Sequence, residues 1–282
     1  MARSILCGLI GAGIQRSLSP ALHEEEARHH GIRMHYQLID LDRAGAGIAA
    51  LPGLITAARV MGFAGLNITY PCKQSVMPLL DALSEEARAI GAINTVICEG
   101  RRLVGHNTDG SGWSWGFRRA LPRADLSRVL LLGAGGAGSA CADAVLRLGA
   151  ARLVIVDKDT PRAEALAQRL NQHFGGRCAE AAADIAAAVD GATGLIHATP
   201  TGMAQSPGMP LPEDLLRPSM WVSEIVYVPL ETPLLEAARR KGCATADGGH
   251  MTVGQAIDAF KLFTGLEADA GRMDAHFRHL VA

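Results

Sequence analysis

A chain of 282 residues, 49% apolar and 20% charged, is long enough for two α/β domains with sizeable cores. A formal charge of −1, no basic tract and only 4% aromatic residues exclude a nucleic-acid binder working through phosphate attraction and base stacking. No run of roughly 18 apolar residues suggests a membrane span, and the cysteines at 7, 72, 98, 141, 178 and 243 form no CxxC pair, implying neither a disulfide framework nor a zinc site and suiting a reducing cytoplasm.

The apolar stretch Ile5 to Ile14, with Arg3 before it, has the look of a signal-peptide core. Its glycines and the lack of a cleavage site favour a buried parallel strand. Gly11 and Gly13 follow this strand, but the third glycine of a dinucleotide turn is missing, since position 16 is arginine. Ser19 and Pro20 instead read as a helix start, a capping hydroxyl before a proline at the first helical position, with the helix running to Gly31. MHYQLID is a second strand ending at Asp40. The first 40 residues are therefore expected to form βαβ without a dinucleotide turn, with Ser17 and Ser19 at the carboxyl end of the first strand, where ligands of open α/β sheets gather. A helix near Ile48 to Met61 and the strand FAGLNIT continue a parallel α/β half.

Three polar phrases then need an explanation beyond packing: NITYPCK at 67–73, GAINT at 91–95 and GHNTDGSG at 105–112. Oxidising a secondary alcohol with a nicotinamide cofactor requires a group that manages the hydroxyl proton. Lys73 qualifies if burial lowers its pKa, and Asp109 becomes its partner only if folding brings the two within hydrogen-bond reach. Trp113 and Trp115 follow Asp109 closely, and helical aromatics of this kind read as core.

LPRADLSR at 121–128 is a polar seam ahead of the most informative run, VLLLGAGGAGSACADAVLRLGAARLVIVD at 129–157. Gly133 permits the tight turn, Gly135 lets the backbone approach a pyrophosphate, and Gly138 lets the helix pack on the strand. Gly136 and Ala137 open that helix, whose N-terminal amides and partial positive charge face the phosphates. Asp157 lies where the second strand ends and where a carboxylate takes both ribose hydroxyls; a 2′-phosphate would meet a like charge there, which favours NAD over NADP.

A helix around Arg162 to His173, an alanine-rich helix-forming stretch at 179–188, strands at GLIHATP and WVSEIVY, a helix opened by Thr232 and Pro233, and a helical last segment from Met251 complete the chain. The histidines form no HExxH, and His276 with His279 reads as a polar helix face, so no metal is expected.

These phrases resemble the shikimate dehydrogenase family nearly end to end. SxSxxxH is present as Ser17, Ser19 and His23; NxTxPxK as Asn67, Thr69, Pro71 and Lys73; GAxNT as Gly91 to Thr95; NTDxxG as Asn107 to Gly112. GAGGAG at 133–138, ATPTGM at 198–203, Tyr227 in YVPLETPLL, and DGGHM with Gln255 follow in order. The resemblance implies a parallel α/β substrate domain and a Rossmann NAD-binding domain with the active site between them. The divisions expected are 1–106 for substrate, 107–246 for NAD, and C-terminal helices 247–282 returning to the substrate domain. It implies that Ser17 and Ser19 hold the substrate carboxylate, with Tyr227 near it, and that Thr69, Asn94, Asp109 and Gln255 contact ring hydroxyls. Lys73 and Asp109 become the catalytic dyad, and Thr199, Pro200, Met203, Val226, Gly248 and Met251 border the cofactor. The implied reaction interconverts shikimate and 3-dehydroshikimate, with quinate as a second substrate; monomer and homodimer both remain open.

Departures from the family pattern refine this. Glu24 follows His23 as in quinate/shikimate dehydrogenases, and Cys72 replaces an aromatic. Biosynthetic members carry an Asn-Arg-Thr type phrase that clasps the NADP phosphate, whereas VDKDTPR puts Asp157 and Asp159 there, with Arg162 placed beside the adenine. The chain therefore resembles the NAD-using branch. Two other readings stay open: a regulator that binds NAD and shikimate without turnover, and a dehydrogenase of another cyclic hydroxy acid such as aminoshikimate.

Overall fold

The computed structural model describes residues 3–100 and 102–282. It divides into two compact units, the chain up to Thr108 together with Gln255–Ala282, and Asp109–Gly254. The crossings fall slightly later than the expected 106 and 246, for local reasons. Asn107 and Thr108 are still bonded into the first unit, through Asn107 Nδ2 to the Ala92 carbonyl (2.9 Å) and the Thr108 amide to Asn94 Oδ1 (2.7 Å). Residues 248–254, in turn, pack on the second unit: a side chain built on Gly254 would sit 2.4 Å from the Gly112 carbonyl oxygen, and one on Gly116 2.5 Å from His250 Cβ. The polar stretch 121–128 accordingly lies inside the second unit, after its first helix, and marks no boundary.

The first unit contains β1 (Ser4–Gly11), α1 (Ser19–His29), β2 (Arg33–Asp40), α2 (Leu51–Val60), β3 (Gly65–Ile68), β4 (Ala82–Leu83), α3 (Glu85–Ile90), β5 (Thr95–Glu99) and β6 (Arg102–His106). The sheet order is β2-β1-β3-β5-β6-β4. β2, β1 and β3 are parallel as their alternation with helices dictates. β5 runs antiparallel to both β3 and β6, while β6 and β4 pair in parallel, so β5 is reversed within an otherwise parallel sheet. Glu99 pairs with Arg102, and two intervening residues suffice for a hairpin but not for a parallel crossover. Gly100, at φ 62°, supplies the left-handed turn.

Apolar residues on both faces of β1 bury the sheet between two layers. Ile10, Leu66, Ile68 and Val96 pack with Leu51 and Ile55 of α2, while Cys7, Leu9 and Tyr36 pack on the other face with Phe260 and Phe263. Those phenylalanines belong to a helix spanning Gly248–Thr264; the chain closes with another at Ala270–Val281. The last helix is tied to α1 by Glu26, 1% exposed, which accepts two 2.7 Å hydrogen bonds from Arg272 and one of 2.8 Å from the Asp269 amide. Burial pushes the Glu26 carboxyl up, but these donors and His30 hold it below its ordinary value.

The second unit contains α4 (Asp109–Ala120), β7 (Val129–Leu132), α5 (Gly136–Arg147), β8 (Leu153–Val156), α6 (Thr160–Phe174), β9 (Ala179–Ala181), α7 (Ile185–Val189), β10 (Gly194–His197), β11 (Trp221–Glu224), α8 (Pro233–Arg240) and β12 (Ala244–Ala246), then enters α9 (Gly248–Thr264), which precedes α10 (Ala270–Val281). Its sheet, β12-β11-β10-β7-β8-β9, is parallel throughout, the doubly wound dinucleotide-binding order. The alanine-rich stretch is not helix alone: residues 179–181 form the edge strand β9, because the ladder with β8 outweighs alanine's helix preference. Trp113 is core, 2% exposed, stacked on Phe117 at 4.6 Å, its indole N–H donating to Ser223 (3.0 Å). Trp115 lies under the Arg119 guanidinium, 4.8 Å from its ring centroid.

Among the described residues no helix is long and apolar enough to cross a membrane, and no three His, Cys, Asp or Glu side chains are placed to hold a metal ion.

Candidate functional site

In the first unit, strand register gathers the polar phrases at one sheet edge. Ile10 pairs with Ile68, Asn67 with Thr95, and Thr95 with His106. The loop after β1 (Ser17, Ser19), the loop after β3 (Thr69 to Lys73), the entry to β5 (Asn94) and the exit from β6 (Asn107, Thr108) therefore leave the sheet on the same side. The antiparallel turn of β5, not foreseen from sequence, is what brings GAINT to that edge.

The local chemistry is specific. Ser17 and Ser19 are half-buried, their hydroxyl oxygens 3.2 Å apart. Ser19 does not cap α1: the N-cap is Leu18 with no side-chain bond, and Ser19 is the first helical residue with Pro20 behind it. Its hydroxyl is thereby turned to its Ser17 neighbour instead of to the helix amides. The loop after β3 closes on β1 at Gly11, where any side chain would collide with Thr69 Cγ2 at 2.2 Å. The Thr69 amide donates to the Ile10 carbonyl (2.9 Å) and the Ala12 amide to the Tyr70 carbonyl (2.9 Å), which fixes Thr69 between the strands. The Tyr70–Pro71 bond is cis. Lys73 is half-buried, its carbonyl accepting from the Ile93 amide at 2.8 Å, and burial pushes the neighbouring Cys72 thiol up.

A buried polar chain runs beneath this edge. The Tyr36 hydroxyl donates to Asn67 Oδ1 (2.6 Å), Asn67 Nδ2 to Thr95 Oγ1 (2.9 Å), Thr95 Oγ1 to Asn94 Oδ1 (3.0 Å), and Asn94 Nδ2 to Thr108 Oγ1 (2.9 Å). Thr108 Oγ1 donates to the Gln255 carbonyl at 3.1 Å, which anchors the backbone of that half-buried residue here. Satisfied buried networks of this kind rigidify what stands on them. His23, third member of the SxSxxxH phrase, is elsewhere. It is fully buried, stacked on Tyr36 at 5.0 Å, with neither ring nitrogen hydrogen-bonded, and burial lowers its pKa to about 3. Glu24 accepts from the Tyr36 amide (2.7 Å) on the edge strand β2, a structural use.

The decoy turn after β1 is closed by its own aspartate. Asp40 accepts from the amides of Gly13 (3.0 Å) and Ile14 (3.1 Å) and from Gln15 Nε2 (3.0 Å), occupying the donors a phosphate would need.

The turn after β7 is built differently. Gly133 has φ 101°, and a side chain there would lie 2.6 Å from the Ala198 carbonyl; one on Gly138 would lie 1.9 Å from the Gly133 carbonyl. A side chain on Gly135 would meet no protein atom within 4 Å. Two glycines thus serve the protein's own packing, while the third leaves backbone accessible beside the first-turn amides of Gly136, Ala137 and Gly138, which have no partner within a helix. These residues fit a dinucleotide pyrophosphate. Asp157, half-buried at the end of β8, accepts from the Ala134 amide (2.7 Å) and the Asp159 amide (2.9 Å), so it is fixed beside the turn with lone pairs left for hydroxyl donors. Asp159 caps α6 and holds Arg162 at 3.3 Å.

At the neighbouring strand ends, Thr199 and Pro200 follow β10, and Val226 and Tyr227 follow β11. Gly248 presses against this second loop, where a side chain would stand 2.3 Å from the Val226 carbonyl. Met203 lies within the β10 loop, its amide bonded to the Pro200 carbonyl (3.1 Å), and Met251 is 8% exposed, packed in the core with Trp113. Sequence reading missed the pair beneath these loops: His197 and Glu224, both without exposed side-chain surface, 2.9 Å apart. The available signal was a histidine and a glutamate closing two otherwise buried parallel strands.

Comparison with known proteins agrees with both units. A family model described as the shikimate dehydrogenase substrate binding domain matches residues 9–96. A shikimate dehydrogenase (NADP(+)) of Streptomyces avermitilis is 57% identical over 279 residues, 98% of this chain and 96% of that one. A quinate/shikimate dehydrogenase (NAD(+)) of Corynebacterium glutamicum is 45% identical over 286 residues, 99% of this chain and all of that one. The structure of quinate dehydrogenase from Corynebacterium glutamicum in complex with NAD superimposes with a TM-score of 0.92 at 44% identity, covering 98% of this chain and 99% of that one. On the sheet order, the glycine turn, the edge phrases and these likenesses together, the chain belongs to the shikimate dehydrogenase family.

Proposed function

We propose that this chain catalyses the reversible oxidation of shikimate to 3-dehydroshikimate, with NAD as the preferred cofactor and quinate as a second substrate. The observation that carries the reading is the convergence of four polar phrases on one sheet edge in a family member whose other unit carries a dinucleotide turn. The paired Ser17 and Ser19 hydroxyls suit the substrate carboxylate, with Tyr227 near it. Thr69, Asn94 and Gln255 suit ring hydroxyls, and such polar recognition discriminates strongly, because an analogue lacking a hydroxyl leaves a buried partner unpaired. The bound nicotinamide supplies the hydride acceptor. Lys73 takes the hydroxyl proton during oxidation and returns it to the carbonyl oxygen during reduction, with Asp109 as second member of the acid–base dyad.

Two observations support NAD over NADP. The Asp157 carboxylate is fixed beside the turn, where it would repel a 2′-phosphate, and Arg162 is already engaged by Asp159. Relatives carry both cofactors in their names, so the choice belongs to this site's own residues. The test is initial-rate oxidation of shikimate and quinate, each with NAD and with NADP. Turnover led by NAD is the expected result, and Asp157→Ser should then raise the relative use of NADP. An NADP-led rate overturns the cofactor choice; no turnover of either substrate overturns the reaction.

A further inference from the structure

Glu224 is a junction. Its Oε1 accepts from the amides of Ile225 (2.8 Å) and Val226 (2.9 Å), its Oε2 from the Thr232 hydroxyl (3.0 Å), and both lie within 3.0 Å of His197 Nδ1. Thr232 in turn caps α8. Four donors converge on one carboxylate, matching its acceptor capacity, so Nδ1 is a donor. The other ring nitrogen, Nε2, lies 2.6 Å from Thr199 Oγ1, which also accepts from the Thr201 amide at 3.3 Å. His197 and Glu224 are register partners on adjacent parallel strands, so the pair is held by the sheet itself.

In a neutral imidazole with its proton on Nδ1, Nε2 is an acceptor. The Thr199 hydroxyl must then spend its proton on Nε2, leaving only lone-pair capacity for a ligand. Thr199 is half-buried beside the switch point between β7 and β10, where the doubly wound order places a dinucleotide. We infer that His197 and Glu224 are positioning residues that turn the Thr199 hydroxyl into a hydrogen-bond acceptor for the carboxamide N–H of the nicotinamide. The inference rests on the cofactor reading proposed above. It assigns a purpose to a buried ionisable pair that packing alone does not require, since an apolar pair of similar volume would serve a strand ladder as well.

The test uses the whole protein and direct binding. Dissociation constants are measured calorimetrically for NAD, for its 3-acetylpyridine analogue, in which a methyl ketone leaves no N–H, and for ADP-ribose, which lacks the nicotinamide. The unsubstituted protein should prefer NAD to the analogue. Thr199→Val should reduce that preference about 3- to 10-fold, the range of one net hydrogen bond, while ADP-ribose affinity stays unchanged. Thr199→Ser should retain it. His197→Phe should reduce the preference when Thr199 is present and leave it unaltered in the Thr199→Val background, because it acts through that hydroxyl. If His197→Phe fails to fold, Thr199→Val still decides. Equal preference in the unsubstituted protein and Thr199→Val overturns the inference, as does a His197→Phe effect that persists without the hydroxyl. Absence of binding by NAD and ADP-ribose alike overturns the cofactor reading itself.

Discussion

A single nitrogen carries the proposed proton transfer, and it sits on Lys73. Lys73→Ala should lower kcat for shikimate oxidation by at least about 10²-fold with little change in NAD affinity, since the loss falls on general acid–base catalysis. An unaltered kcat removes Lys73 from the mechanism. His23 makes the opposite case, a family-phrase residue whose measurable effect is on stability. Its folded pKa of about 3 lies below the unfolded 6.5, so between those values the unfolded chain takes up a proton that the folded chain refuses. Stability therefore falls as pH drops from 6.5 toward 3, by up to about 1.4 kcal/mol per pH unit. His23→Phe keeps the stack on Tyr36 and removes this titration. Relative to the unsubstituted protein it should gain about 2 kcal/mol between pH 7 and pH 5 in urea unfolding; a pH-independent difference would refute the assignment. Glu26, held below its ordinary value, loses stability in the same direction, and that slope survives in both proteins.

Two βαβ elements in this chain end their second strand in an aspartate, and the turns differ in who uses the amides. Asp40 consumes those of Gly13 and Ile14, whereas Asp157 takes from its glycine turn the Ala134 amide, with its other backbone bond going to Asp159, and leaves the α5 N-terminus open. Gly135→Ser should leave the free protein's melting temperature unchanged or slightly raised, since serine suits an N-cap with extended backbone (φ −74°, ψ −169°), and should weaken dinucleotide binding. Gly138→Ala should instead destabilise the free protein by about 1–3 kcal/mol through overpacking. Thermal unfolding with and without NAD separates the two, and identical behaviour would refute the division of labour. The element pattern was legible where periodicity and turn chemistry coincide. The second βαβ unit, the α6 helix around 162–173 and the Thr232 start of α8 all read directly from sequence. What escaped depends on partners distant in sequence. β5 is reversed by its pairing with β3 and β6, β9 is strand because β8 is beside it, and Ser19 turns its hydroxyl to Ser17 instead of capping α1. The His197–Glu224 pair joins residues on strands whose register no local pattern reports.

For the whole molecule, the units are nested in the chain: residues 109–254 interrupt a unit that resumes at Gln255. On the first unit's side of both crossings, Thr108 and Gln255 touch at 3.1 Å; on the second unit's side, Gly112 and Gly254 are in van der Waals contact range. Both cut ends of each unit are therefore neighbours, the geometry that tolerates insertion and excision. The second unit is thus a cassette in the engineering sense. A gene fragment for residues 109–254 should yield a cooperatively folding protein that binds ADP-ribose, and a short glycine bridge from Thr108 to Gln255 should close the remainder without it; a fragment showing no cooperative transition would deny that independence. Grafting the cassette from a relative of different cofactor preference that keeps the counterparts of Asp109 and Tyr227, which travel with it, would then exchange the coenzyme while leaving the Ser17–Ser19 edge untouched, so that hydride carrier and carbon substrate become largely separable choices.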